Sequence, residues 1–212
     1  FGDTGPTDIP GRKKEKRMIP LPFVLAYLLG SISPSYLLGR LLKGIDLREH
    51  GSGNVGATNA FRVLGKGPGI ATLLFDAGKG VVITAPFAHF MEARFSLPMD
   101  PLFYRILLGF CVIAGHNWSC FLKFKGGKGV ATTLGVFLAL SPEALLWGVA
   151  VWVIVTLVSR NVGVGSMVGA LATPVAILLL GNSPLLVGFG FLAAFLIVYT
   201  HRSNIRKIFF GN

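Results

Sequence analysis

Long apolar runs dominate this 212-residue chain, at 19–39, 68–90, 102–121, 130–140, 144–158, 166–180 and 185–200, with short polar connections between them. A helix of about 20 residues spans the hydrocarbon of a bilayer, so the pattern predicts seven membrane helices. The fourth and fifth runs, separated only by Ser141-Pro142-Glu143, are short and read as tightly paired half-length helices. Five spans with re-entrant pieces is the alternative count. A mean hydropathy of +0.67 and a charged fraction of 14% agree, since soluble domains carry about a quarter charged residues. The expected fold is an all-α integral membrane protein, a compact bundle of about seven transmembrane helices, some of them short.

The net charge of +11 lies in the connections. Stretches 40–66, 123–128, 159–160 and 201–207 are basic, whereas 91–101, 141–142 and 181–184 are not. Lys and Arg favour the cytoplasmic side and anionic headgroups, so the polar islands and the C-terminus are expected there. Seven spans then put the N-terminus outside, in conflict with the basic 12–17 segment. Residues 1–17 are therefore read as a disordered tail that is upstream or non-native, with Met18 as start, ahead of one domain at 18–212. A nucleic-acid binder would carry its charge on a soluble domain, and none is visible. Cys111 and Cys120 lack a C-x-x-C spacing and are expected as free thiols. His50, His89, His116 and His201 are scattered and poorly accompanied by carboxylates, so no metal is expected. Small residues four apart, Ser31, Ser35 and Gly39, and Gly165 and Gly169, predict close helix packing.

Two hydrophilic islands interrupt the apolar pattern. The first, Gly51-Ser52-Gly53-Asn54-Val55-Gly56-Ala57-Thr58-Asn59-Ala60-Phe61-Arg62, offers glycine amides to an oxyanion. In a helix its Asn54, Thr58 and Arg62 would share one face. It contains G-x-G-x-x-G with Asp76 twenty residues beyond Gly56, but a dinucleotide fingerprint needs a strand before it and a βαβ unit around it. Here Asp46-Leu47-Arg48-Glu49-His50 precedes and a membrane segment follows. The second island, Phe124-Lys125-Gly126-Gly127-Lys128-Gly129-Val130-Ala131-Thr132, precedes an expected helix start, where the macrodipole favours an anion. A lysine snorkelling at the interface is the blander reading, stronger for Lys66 than for Lys128. Asp76 and Lys79 lie within the second apolar run and should face the interior, paired with each other. His116, His201 and Asn204 are candidate bases or phosphate donors. Such islands suit phosphate chemistry. An anion transporter would place its charges near the midplane in inverted repeats, and a scaffold would need no such islands, so a cytoplasm-facing enzyme is favoured.

Three separated motifs, 51–59 with Arg62, 115–132, and His201-Arg202-Ser203-Asn204-Ile205, resemble those of the bacterial integral-membrane acyl-phosphate:glycerol-3-phosphate acyltransferases, the PlsY family. The resemblance runs from Met18 to the end. It implies acyl transfer from acyl phosphate to the sn-1 hydroxyl of glycerol 3-phosphate, giving lysophosphatidic acid and phosphate, without a cofactor. It implies catalytic roles for Ser52, Arg62, His201 and Asn204, and an acyl-phosphate loop at Gly126, Gly127 and Gly129. Together with the residue reading, the expected phosphate-binding set is Gly53, Asn54, Gly56, Thr58, Asn59, Lys79, His116, Lys123, Gly126, Gly127, Lys128, Gly129 and Ser166. Two anionic substrates need cations and oxyanion donors to meet. Either a substrate phosphate takes the hydroxyl proton, or Ser52 forms an acyl-enzyme. Expected partners are the two substrates, membrane lipids and an acyl-phosphate-forming enzyme, and the expected place is the bacterial inner membrane. The chain departs from the family pattern at Ser119 (proline), Asn161 (tyrosine), Gly163 (serine) and Ser203 (glutamate).

Overall fold

The computed structural model describes residues 20–95 and 99–210, with side chains as far as 206. The tail expected at 1–17 and the start expected at Met18 lie outside the described residues. Every regular element among those described is helical. α1 (Pro20–Ser31) and α2 (Pro34–Lys43) form one interrupted span, followed by a short 3-10 turn at Leu47–Glu49 and by α3 (Ala57–Leu64). α4 (Lys66–Val82) passes through a π stretch, Ile83–Phe87, into α5 (Ala88–Arg94). α6 (Pro101–Asn117), α7 (Val130–Leu140), α8 (Pro142–Ser159), α9 (Val162–Leu179), α10 (Pro184–Thr200) and α11 (Arg202–Phe210) complete the chain. Five segments are long and apolar enough to cross a membrane, Pro20–Lys43, Lys66–Arg94, Pro101–Leu122, Pro142–Ser159 and Val162–Leu179, while Val130–Leu140 and Pro184–Thr200 are shorter apolar helices. Each of the seven apolar runs is thus helical, and the two counts differ only in how the short helices are scored.

Proline and small polar caps set the helix starts. Pro34, Pro101, Pro142 and Pro184 occupy first turns, where a missing N–H leaves no bond unmade. Ser183 and Asp100 accept the amides of Leu186 and Phe103 at 3.4 and 3.0 Å. Pro86 falls inside the π stretch, where the widened turn absorbs the missing donor.

Helix pairs meet through glycine. A Cβ on Gly30 would strike the Val112 carbonyl, one on Gly115 that of Tyr27, so α1 and α6 touch backbone to backbone. Gly80 and Gly135 do the same for α4 and α7. Gly148, Gly165 and Gly169 bring α8 against α9, as the spacing of the latter two predicts. In lipid, association depends on such close approach rather than on expulsion of water. The expected stripe of Ser31, Ser35 and Gly39 is not one stripe, because the chain breaks at Ile32-Ser33 between the first and second members. Tyr104, Leu108, Val112, Ile113, Val136 and Ile177 fill the interior. Leu157, Val158, Leu179 and Phe195 face outward, an apolar exterior suited to lipid.

Successive helices carry the connections 44–56, 118–129, 160–161 and the His201 corner to one end of the bundle, and 95, 99–100, 141 and 180–183 to the other. Side chains tie the first group together. Arg48 donates to the Leu122 carbonyl at 3.4 Å, Thr200 to that of Lys128 at 3.0 Å, and Gly163 sits against His201 and Asn204.

Candidate active site

The first island folds around Asn59. Its Oδ1 accepts the Ser52 amide at 2.9 Å, and its Nδ2 lies 3.0 Å from the His50 carbonyl, 2.9 Å from that of Asn54 and 3.4 Å from that of Leu47. Gly51 and Gly53 turn the chain at φ of 63° and 71°, conformations a side chain would strain. Asn54 is not on the helix: α3 begins at Ala57, and Asn54 Oδ1 accepts the Gly56 amide at 2.8 Å. The expected single face therefore reduces to Thr58 and Arg62. The amides of Ser52, Gly53 and Gly56 are all taken internally. What it presents is the exposed Ser52, Thr58 and Arg62, and Arg62 makes no ion pair among the described residues.

An anchor that sequence reasoning did not single out sits beneath this loop. Asp46 accepts from Arg48 at 2.7 and 3.0 Å and from Arg40 at 3.2 Å. The Arg48 hydrogen bond holds its carboxyl down at about 2. The signal was available as an Asp with Arg two and six residues away.

The second island is pinned to the end of α6. The Gly126 amide donates to the Asn117 carbonyl at 3.1 Å and that of Gly127 to His116 at 2.9 Å. These glycines shape the loop, and their amides are not aimed at a ligand. Lys123 and Phe124 adopt left-handed backbone at φ of 55° and 59°, and the Lys123 side chain is exposed. Gly129, at φ of 81°, leads into α7, whose N-terminus has no side-chain cap. First-turn amides and the helix dipole there suit an anion. Asn117 was also missed: it is 4% exposed, lies against Gly129, and its amide has no hydrogen-bond partner among the described residues. Nothing local in the sequence distinguishes it.

The third motif meets this loop directly. Lys128 Nζ donates to Asn204 Oδ1 at 2.5 Å. His201 Nδ1 lies 2.8 Å from the Ile197 carbonyl, which accepts its N–H and leaves Nε2 as the basic nitrogen. Burial lowers the His201 pKa to about 4, so the ring is neutral at physiological pH.

Four expected phosphate binders are engaged inside the protein. Asn59 is 2% exposed and engaged by its loop. Ser166 returns its hydroxyl to the Val162 carbonyl at 2.8 Å, within its own helix. Lys79 and His116 are 4% and 6% exposed; Lys79 is paired with Asp76 at 2.8 Å, as expected, and donates to the Gly30 and Ile32 carbonyls at 2.9 and 3.1 Å. The departures find physical roles. Ser119 donates to the Ser31 carbonyl at 2.6 Å, which a proline cannot do. Asn161 caps α9 by accepting the Gly163 amide at 2.9 Å. A side chain at Gly163 would crowd Asn204. Nothing in the structure explains Ser203.

Fold and site together define an integral membrane enzyme whose cations, hydroxyl and imidazole gather at one end of a lipid-facing helical bundle. The chain belongs to the glycerol-3-phosphate acyltransferase family, which it matches over residues 21–211. It is 42% identical over 187 residues to a glycerol-3-phosphate acyltransferase of Desulforudis audaxviator, covering 88% of this chain and 90% of that one. It is 43% identical over 190 residues to that of Clostridioides difficile, covering 89% and 90%. The fold superposes with a TM-score of 0.81, at 34% identity over 91% of this chain and 92% of the other, on the crystal structure of PlsY, an integral membrane glycerol 3-phosphate acyltransferase, in its glycerol 3-phosphate form. The lysophosphatidic acid form of PlsY matches with a TM-score of 0.79 at 32% identity, over 91% of this chain and 92% of that one.

Proposed function

We propose that this protein transfers a fatty acyl group from acyl phosphate to the sn-1 hydroxyl of glycerol 3-phosphate, at the cytoplasmic face of the bacterial inner membrane. The observation that carries the reading is the junction of Lys128 and Asn204 at 2.5 Å beside the uncapped start of α7. It joins two separated motifs into one anion-binding corner next to the neutral His201. Support for the acceptor comes from the relatives, named as glycerol-3-phosphate acyltransferases. Support for the face comes from the basic connections gathered at that end.

In this reading the donor phosphate lies at the α7 N-terminus near Lys128, and Arg62 with Thr58 receives the phosphate of glycerol 3-phosphate. His201 Nε2 accepts a hydrogen bond from the sn-1 hydroxyl and orients it. The hydroxyl oxygen bonds to the acyl carbonyl carbon. The tetrahedral intermediate then collapses with cleavage of the bond from carbonyl carbon to phosphate oxygen. Inorganic phosphate leaves, and a substrate phosphate takes the proton. Ser52, exposed on its loop, donates to the developing oxyanion. The donor's instability in water makes an acyl-phosphate-forming enzyme the natural functional partner.

Palmitoyl phosphate supplied to the purified protein should release phosphate only when glycerol 3-phosphate is present. Ser52→Ala and Arg62→Ala should each lower kcat/KM by about 100-fold or more, the scale of a lost transition-state donor. Phosphate release independent of acceptor, or a folded protein with none, rejects the reading. An acyl group trapped on Ser52 with ping-pong kinetics would replace direct attack by the acyl-enzyme route.

A further inference from the structure

Asp76, Lys79 and His116 form a charged cluster in the bundle interior, on α4 and α6. Their side chains are 1%, 1% and 5% exposed. Ionisable groups are costly in membrane segments and are retained where they do something, and here the Lys79 ammonium is engaged by Asp76, His116 and two backbone carbonyls. Lys79 Nζ is 2.8 Å from Asp76 Oδ1 and 2.9 Å from His116 Nδ1, and it holds the Gly30 and Ile32 carbonyls at the break between α1 and α2. Asp76 Oδ1 lies farther from the same imidazole nitrogen, at 3.3 Å. An ammonium group only donates, so the shorter contact makes Nδ1 an acceptor and places the ring proton on Nε2. That nitrogen abuts Gly127 so closely that a Cβ there would clash with it. The His116 carbonyl also accepts the Gly127 amide at 2.9 Å. His116 therefore grips the glycine loop by ring and backbone together, and Lys79 with Asp76 fixes the ring.

We propose that Asp76, Lys79 and His116 are positioning residues for the acyl-phosphate site, a buried triad that holds the imidazole with Nε2–H against Gly127 and so sets the 126–129 loop ahead of α7, without touching substrate. The inference rests on the acyl-transfer reading above. It replaces the expectation that Lys79 and His116 bind phosphate themselves.

The double variant Asp76→Asn/Lys79→Gln removes both charges at once and keeps an amide donor for the Gly30 and Ile32 carbonyls, and its thermal midpoint reports folding separately from function. The triad predicts that the folded double variant has a KM for palmitoyl phosphate raised about tenfold, equivalent to about 1.4 kcal/mol of binding, with KM for glycerol 3-phosphate within about twofold of wild type. A structural role alone would alter both substrates alike or only kcat, and either result overturns the proposal. Nitrogen-15 NMR of histidine-labelled protein, with the His116 signals identified by their loss in His116→Gln, gives a readout independent of turnover. Wild type should show unprotonated Nδ1 and protonated Nε2. A protonated Nδ1 overturns the proposal whether or not the protein is active. Absence of turnover in the wild type itself strikes instead at the acyl-transfer reading, with the NMR result still deciding the triad.

Discussion

His201 shows how one residue's surroundings set its chemistry. Its Nδ1–H is committed to the Ile197 carbonyl, and burial lowers its pKa from 6.5 to about 4. A base buried in its neutral form binds its proton more weakly in the folded state than in the unfolded state. Stability is therefore fully present above the unfolded value and declines as pH falls from 6.5 toward about 4. The thermal midpoint of the detergent-solubilised protein should drop across that window, with a contribution from this residue of at most about 1.4 kcal/mol per pH unit. In His201→Gln that part of the slope should vanish, and an unchanged slope would place the ring in contact with water. His201 and Asn204 were legible as candidates because each is a polar group at the end of an apolar run. Asn59 was legible only as a polar residue in an island. Its true occupation, four contacts to its own loop, depends on turns at Gly51 and Gly53 that no residue count reveals.

At the scale of elements, the break between α1 and α2 is the decisive feature. Breaking a helix inside an apolar environment strands carbonyl groups, each of which costs several kcal/mol in lipid if unpaired. Lys79 takes those of Gly30 and Ile32, and Ser119 that of Ser31. Ser119→Ala should therefore destabilise the protein by about 1–3 kcal/mol, the range for a buried acceptor left unmet. The thermal midpoint measures this, and Ser119→Thr, which keeps the hydroxyl, should recover most of it. If Ser119→Ala is neutral, water reaches the break. The sequence predicted one continuous helix over 19–39 because the run is apolar on both sides of Ser31-Ile32-Ser33-Pro34-Ser35. Pro34 was the visible warning. That Ser33 would precede it as a cap and that donors would arrive from α4 and α6 was not local information.

For the whole molecule, alternation of helices puts the connections 44–56, 118–129, 160–161 and the His201 corner at one end and 95, 99–100, 141 and 180–183 at the other. With Cys111 and Cys120 replaced by alanine, a cysteine at Lys125 should react with an impermeant thiol reagent only in inverted membrane vesicles, and one at Asn182 only in right-side-out vesicles. Equal labelling at both sites from one side would refute the topology. The end-to-end alternation, the helical class and the polar end of the bundle follow from apolar length and from the placement of Lys and Arg, which act through solvation by lipid and headgroups and need no long-range partner. Family membership also followed from linear motifs. Which polar groups within those motifs face outward was decided by tertiary structure alone. Lys79 and Asn59 share the composition of a binding site, but each found its hydrogen-bond partners in backbone brought to it by folding, while Ser166 returned its hydroxyl to its own helix, and a buried polar group without a partner is too costly for the fold to leave it pointing at solvent or substrate by default.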